Sequence, residues 1–236
     1  MDPIEILWDG ANVLAVDKPA MLATQAPPGG DSLENRLREQ LGERSSYLAF
    51  PHRLDRPVSG VVLVALRKKA ARLLSEQFAA RKVEKEYLAV VTGKVDPTNE
   101  IWTNFVQKVP DQPMAAVVSE QTEGAKQAVT RVTVVRYDEK ADQTVLKLFP
   151  ETGRMHQLRI QAAHRGHPIL HDRLYGDETD RPRLSPITEP GDTSAYLSGN
   201  ASASGIMLQA HAICFYDPRN GRQTRVTASD RITNSV

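Results

Sequence analysis

Apolar residues in the opening segment IEILWDGANVLAVDKPA fall into two short runs, Ile4 to Trp8 and Val13 to Val16. The turn residues of DGAN separate them, so the pattern predicts two strands. TQAPPGG reads as a loop, and a helix is then expected to start at Asp31 or Ser32. Leu33, Leu37 and Leu41 follow on one face and Gly42 ends it. Val61 to Leu66 is a β-rich run, and RKKAARLLSEQFAARK places Ala70, Leu73, Leu74 and Phe78 on one side of an amphipathic helix. Lys85-Glu86-Tyr87 leads into a strand ending at Gly93, and Thr130 to Tyr137 and Thr144 to Phe149 predict two more. GRMHQLRIQAAHRGHPI reads as a short helix closed by Gly166 and Pro168. From about 177 to 205 the periodicity disappears into Ser, Thr, Pro, Gly and Asp, which predicts a flexible excursion. A last strand, IMLQAHAICFY, and a polar tail complete the chain. This mixed order argues for an α+β sheet protein over a doubly wound one.

Composition narrows the class. A chain of 236 residues suits one domain, 1–236, and 40% hydrophobic with 25% charged residues excludes wholesale disorder and fibres. The single cysteine, Cys214, forms no internal disulfide and favours a reducing compartment. No apolar run suffices for a membrane span and MDPIEILWDG lacks a secretory signal, so a soluble, cytoplasmic protein with no membrane association is expected. Thirty Lys and Arg against 29 Asp and Glu leave a net charge of +1, which by itself does not advertise nucleic acid.

Two segments carry candidate chemistry. On a helical wheel through GRMHQLRIQAAHRG, Met155, Leu158, Ala162, Ala163 and Gly166 share a face and Arg159 falls in its middle. A guanidinium facing protein needs an anionic partner, so a carboxylate from elsewhere is expected to meet it. The candidate is Asp55, in His52-Arg53-Leu54-Asp55-Arg56-Pro57, on a loop at the mouth of a strand. Cationic neighbours favour its ionised form, and an ionised aspartate can act as a nucleophile. Both residues also fit a plainer reading, as members of structural ion pairs.

HRLDRPVSGVVLVA, KEYLAVVTG and GRMHQLRIQAAHRGHPILHDRLYG, in this order, closely resemble the core signatures of the RluA-type RNA pseudouridine synthases. VDKPA resembles the family's lysine-proline segment, and LQAHAICFYDP its closing strand. The resemblance implies the pseudouridine synthase fold: a mixed, largely antiparallel central sheet with flanking helices and loops. It implies an isomerase in which Asp55 is the catalytic aspartate and Tyr87 the tyrosine against the target base. Arg159 matches the arginine that pairs with the aspartate, and Arg53 the arginine that enters the RNA when uridine is flipped out. His52, Arg56, Lys85, Arg154, His156 and Gln157 stand beside these and are carried as RNA-binding or site-ordering residues. The reaction moves the ribose link from a ring nitrogen to a ring carbon and imports nothing, so no cofactor and no metal are expected. The carboxylate can add to the sugar or base or stabilise a glycal, and the sequence leaves these paths open. An S4-type module before the catalytic segment is not expected.

The implied partner is RNA, tRNA before rRNA, bound by a monomer. Charge supports this locally: Arg67 to Tyr87 holds seven Lys or Arg against three Glu. For any one of Lys68, Lys69 and Arg72, a solvated helix face is the simpler reading. His156, His164, His167 and His171 invite a metal-dependent hydrolase, but their spacing fits no metal-binding helix motif and no cysteine lies near. An RNA chaperone without chemistry is the other alternative; it has no need of Asp55, Tyr87 and Arg159 together. Val58, Met155, His171 and Gln209 stand where the family usually has Thr, Thr or Ser, Gly and His, and Asp217-Pro218 replaces a His-Pro pair. These departures bear on substrate choice more than on activity.

Overall fold

A computed structural model describes residues 2–27, 29–98, 100–176 and 205–233. The excursion expected at 177–205 lies outside the described residues except for Gly205. The chain groups into two compact units, residues 1–87 with 208–236, and residues 88–207.

In the first unit, β1 (Glu5–Asp9) and β2 (Val13–Lys18) form the hairpin expected around DGAN, with Glu5 opposite Asp17. β2 also pairs antiparallel with β3 (Ser59–Ala65), Val13 opposite Ala65. β3 meets β9 (Leu208–Tyr216) in a short parallel ladder, Ser59 opposite Gln209 and Gly60 opposite Ala210. Gly60 is required there. Its φ is +113°, and a Cβ would lie 2.1 Å from the Ala210 carbonyl oxygen.

Every residue of β2 and β3 is buried, so both faces of these strands are covered. Helix α2 (Lys68–Ala79) presses Ala70 and Leu74 onto Val13, Ala15, Val61, Leu63, Ile213 and Phe215. Helix α1 (Leu33–Leu41) buries Leu33 and Leu37 completely. It starts as expected: Ser32 accepts from the Asn35 amide at 3.2 Å, and Gly42 ends it at φ 53°. β10 (Gln223–Thr227) pairs antiparallel with β9 in what reads as polar tail. It is an edge strand that buries only Val226, so its sequence shows no apolar run.

β4 (Glu84–Thr92) passes from the first unit into the second. There its later residues are followed in the sheet by β8 (Gln143–Pro150), β7 (Lys126–Asp138), β5 (Ile101–Lys108) and β6 (Ala115–Val118). β7 is antiparallel to both β8 and β5, and β5 to β6. β5 and β6 correct the sequence reading, which placed no strand between Gly93 and Thr130. β5 alternates imperfectly, exposing Ile101 and burying Trp102, and β6 is only four residues long. Helix α3 (Gln157–His164) is shorter than expected and buried nearly all round, from Gln157 to Ala162. An amphipathic wheel therefore described it poorly. Met155 precedes the helix and packs with Val106, Ala115, Ala128 and Ile160.

Candidate active site

In the first unit the segment 52–58 leads directly into β3. Leu54 is buried, Arg53 and Arg56 are exposed, and Asp55 is half-buried. The Asp55 carbonyl accepts from the Val58 amide at 3.1 Å, closing the turn through Pro57. His52 Nε2 accepts from the Leu63 amide at 2.9 Å, and the ring lies 4.9 Å from that of Phe78. Burial, helped by the nearby Lys85 charge, pushes this imidazole down to about 3. It is neutral, with its proton on Nδ1.

Lys18 lies in the VDKPA segment matched to the family's lysine-proline segment, where the sequence reading gave it no role. It is fully buried and donates to the carbonyls of Leu22 at 2.6 Å, Pro19 at 2.9 Å and Arg56 at 3.2 Å. Burial pushes its ammonium down to about 7, against the pull of Asp55 and Asp17. Asp17 is met by Arg231 at 2.7 Å. The signal was a charged pair, Asp17-Lys18, closing an otherwise apolar strand. Burial, and after it the Asp55 charge, push the Tyr87 phenol well above its ordinary range. Burial lowers Lys85 to about 8. A carboxylate, a lysine and a neutral phenol thus share one electrostatic neighbourhood, suited to holding negative charge and moving a proton.

In the second unit, residues 152–176 build a polar network around α3. Arg159 is buried and forks onto the Asp172 carboxylate: Nε to Oδ2 is 2.7 Å and Nη2 to Oδ1 is 2.8 Å. Asp172 is a carboxylate partner of Arg159 that sequence reasoning missed. Asp172 Oδ1 also accepts from the amides of Leu174 at 3.0 Å and Tyr175 at 3.2 Å. The guanidinium carbon lies 5.2 Å from the Tyr175 ring centre. The Tyr175 hydroxyl accepts from the Ala115 amide at 2.8 Å and meets His156 Nδ1 at 2.9 Å.

His156 has a left-handed backbone, φ 52°, which turns the chain into α3. Gln157 Oε1 accepts from Thr152 at 2.7 Å and the Arg154 amide at 3.0 Å; Nε2 donates to the Val129 carbonyl at 3.0 Å. Arg154 Nε donates to the Gln127 carbonyl at 2.9 Å. His171, where the resembling family carries Gly, also has a left-handed φ of 64°. Among the described residues, no three His, Cys, Asp or Glu are grouped to hold a metal, and no helix is long and apolar enough to cross a membrane.

The sequence pattern described as RNA pseudouridylate synthase matches residues 12–164. The chain is 34% identical to tRNA pseudouridine synthase C of Haemophilus ducreyi, across 95% of this chain and 90% of that one. It is 33% identical to ribosomal large subunit pseudouridine synthase C of Escherichia coli K12, across 94% of this chain and 65% of that one. In fold it resembles human RNA pseudouridylate synthase domain containing 1, with a TM-score of 0.75 at 23% identity, covering 100% of this chain and 89% of that one. The mixed, mostly antiparallel architecture is that of these enzymes, and the chain belongs to the RNA pseudouridylate synthase family.

Proposed function

We propose that this protein isomerises a specific uridine in structured RNA, a tRNA before an rRNA, using Asp55 on a base flipped out of its stack. The observation that carries the reading is the neighbourhood of Asp55, Lys18 and Tyr87 in a chain of this family. The reaction breaks the bond from ribose C1′ to uracil N1, turns the base and joins C1′ to C5. C5 gives up its proton and N1 gains one, so nothing is oxidised. An ionised Asp55 can add to the sugar or base or stabilise a glycal, and Tyr87 offers a ring face to the base and a neutral hydroxyl to the proton step. Arg159 is the cation that the family resemblance assigns to the catalytic aspartate.

Flipping costs a few kcal/mol, repaid by stacking and pocket contacts. Exposed Arg53 and Arg56 suit the displaced strand, with Lys85 and Arg154 as further contacts. His52, His156 and Gln157, bonded within the protein, order the flanks of the RNA site. The preference for tRNA follows the tRNA pseudouridine synthases C of two Haemophilus species, 34% and 32% identical to this chain. A monomer in the cytoplasm fits the lone, buried Cys214. The test is transcriptome-wide pseudouridine mapping in cells with and without the gene, and with Asp55→Asn. One or a few sites should vanish in both the deletion and the variant, while purified Asp55→Asn binds RNA within about threefold of wild type. An unchanged map in the deletion would sink the reading.

A further inference from the structure

The loop that carries Asp55 is gripped by its main chain, and the grip comes from one short segment, residues 18–24. Thr24 is 3% exposed; its Oγ1 donates to the Leu54 carbonyl at 3.0 Å and accepts from the Leu54 amide at 3.2 Å. One hydroxyl thus satisfies both main-chain polar groups of the residue before Asp55, the part a neighbouring strand plays in a ladder. On the other side of Asp55, Lys18 holds the Arg56 carbonyl at 3.2 Å, and Arg56 Nε donates to the Met21 carbonyl at 3.2 Å.

The gripping segment is itself tied to a rigid element. The Ala23 carbonyl accepts from the Leu33 amide at 2.8 Å, and the Thr24 carbonyl from the Glu34 amide at 3.1 Å. Both donors belong to the first turn of α1, whose Leu33 and Leu37 are fully buried. A continuous path of hydrogen bonds therefore runs from the start of α1 through Thr24 to Leu54.

We propose that Thr24 is a positioning residue for the reaction: its hydroxyl passes the rigidity of α1 to Leu54 and so fixes where the Asp55 carboxylate stands. This rests on the reading of Asp55 as the catalytic carboxylate. Thr24 touches no reacting atom. Its effect is geometric, and a catalytic group displaced by about an ångström can lose about 100-fold in rate. Lys18 shares the grip but carries charge beside Asp55, so replacing it changes field and position together. Thr24 is neutral and isolates position.

The test uses the full chain and, as probe, bulk RNA labelled with tritium at uridine C5 in cells lacking the gene. Release of tritium reports loss of the C5 proton. Thr24→Val keeps the shape and removes both hydrogen bonds; Thr24→Ser keeps the hydroxyl. Thr24→Val should lower the single-turnover rate about 10- to 100-fold with RNA retention on filters within about threefold, and Thr24→Ser should stay within about threefold of wild type in both. Hydrogen exchange at the Leu54 amide should quicken in the valine variant and not in the serine one. Should the valine variant misfold, Thr24→Ala takes its place with the same expectation.

The proposal is overturned if the folded valine or alanine variant turns over at the wild-type rate, if serine loses as much as valine, or if the defect appears only in RNA binding. Asp55→Asn, run alongside, separates the two readings. An active Asp55→Asn removes Asp55 as the essential carboxylate whatever Thr24 does, whereas an inactive one beside a fully active Thr24→Val removes only the grip.

Discussion

Arg159 and Asp172 meet through two parallel hydrogen bonds, 2.7 and 2.8 Å, with side chains 6% and 0% exposed. Such a fork fixes the plane of the guanidinium as well as its position. Breaking a pair this dry takes a buried charge's fork away. Asp172→Asn and Arg159→Met should each lower unfolding free energy by about 3–5 kcal/mol in urea titrations. The double variant Arg159→Met/Asp172→Leu should lose less than the two single losses added together, because both members of the fork leave at once. Single variants within about 1 kcal/mol of wild type would show a pair far better solvated than its burial implies.

His52 gives the protein an acid-sensitive element. An unfolded imidazole titrates near 6.5, whereas burial holds this one at about 3. Between those values the unfolded chain binds a proton that the folded chain does not. The contribution is therefore complete above about pH 6.5 and drains away as pH falls toward 3. His52→Gln should be less stable than wild type at neutral pH by an amount that shrinks steadily below about pH 6.5. Urea midpoints measured from pH 8 to 4 check this, and a constant gap would mean the ring titrates normally.

Tyr87 keeps its proton throughout the working range, since both its burial and the Asp55 charge oppose the phenolate. Its hydroxyl is thus available as a donor, never as a resident base. Tyr87→Phe should retain RNA affinity within about threefold, because the ring face survives, while the rate falls by about 100-fold or more. Single-turnover kinetics beside filter binding separates the two, and a rate near wild type would reduce Tyr87 to a stacking surface.

Gly60 tests the close approach of β3 and β9. A methyl group there meets the Ala210 carbonyl at 2.1 Å from a backbone at φ +113°. Gly60→Ala should cost about 3 kcal/mol or more, read by thermal unfolding. A loss below about 1 kcal/mol would mean that the two strands separate easily.

The strands and helices of the first unit were largely legible because β2 and β3 each contain an unbroken apolar run and α1 and α2 show clear helical spacing. β5, β6 and β10 were not, since half-buried, short or edge strands need few apolar residues and their polar positions imitate loops. Asp55, Tyr87 and Arg159 stood out through the motifs that carry them. Asp172 and Tyr175 did not, because Asp172 is separated from Arg159 by 13 positions and only the fold returns it. Thr24 was hidden for the same reason: it lies 30 positions from Leu54, inside a stretch that reads as loop. His171 marks the opposite case, a departure visible in the sequence whose physical content, a left-handed backbone on a residue with a side chain, only the structure supplies.

Lys18 and Thr24 grip main-chain groups, which any residue would present at positions 22 and 56 and any residue but proline at 54. These bonds make no demand on the side chains those positions bear, and the Arg56 side chain adds one of its own to the Met21 carbonyl. Another residue in place of exposed Arg56 would forfeit the bond from Nε to the Met21 carbonyl but still offer its carbonyl to Lys18. The loop thus takes its place largely from its backbone and leaves the Arg53 and Arg56 side chains exposed on either side of Asp55.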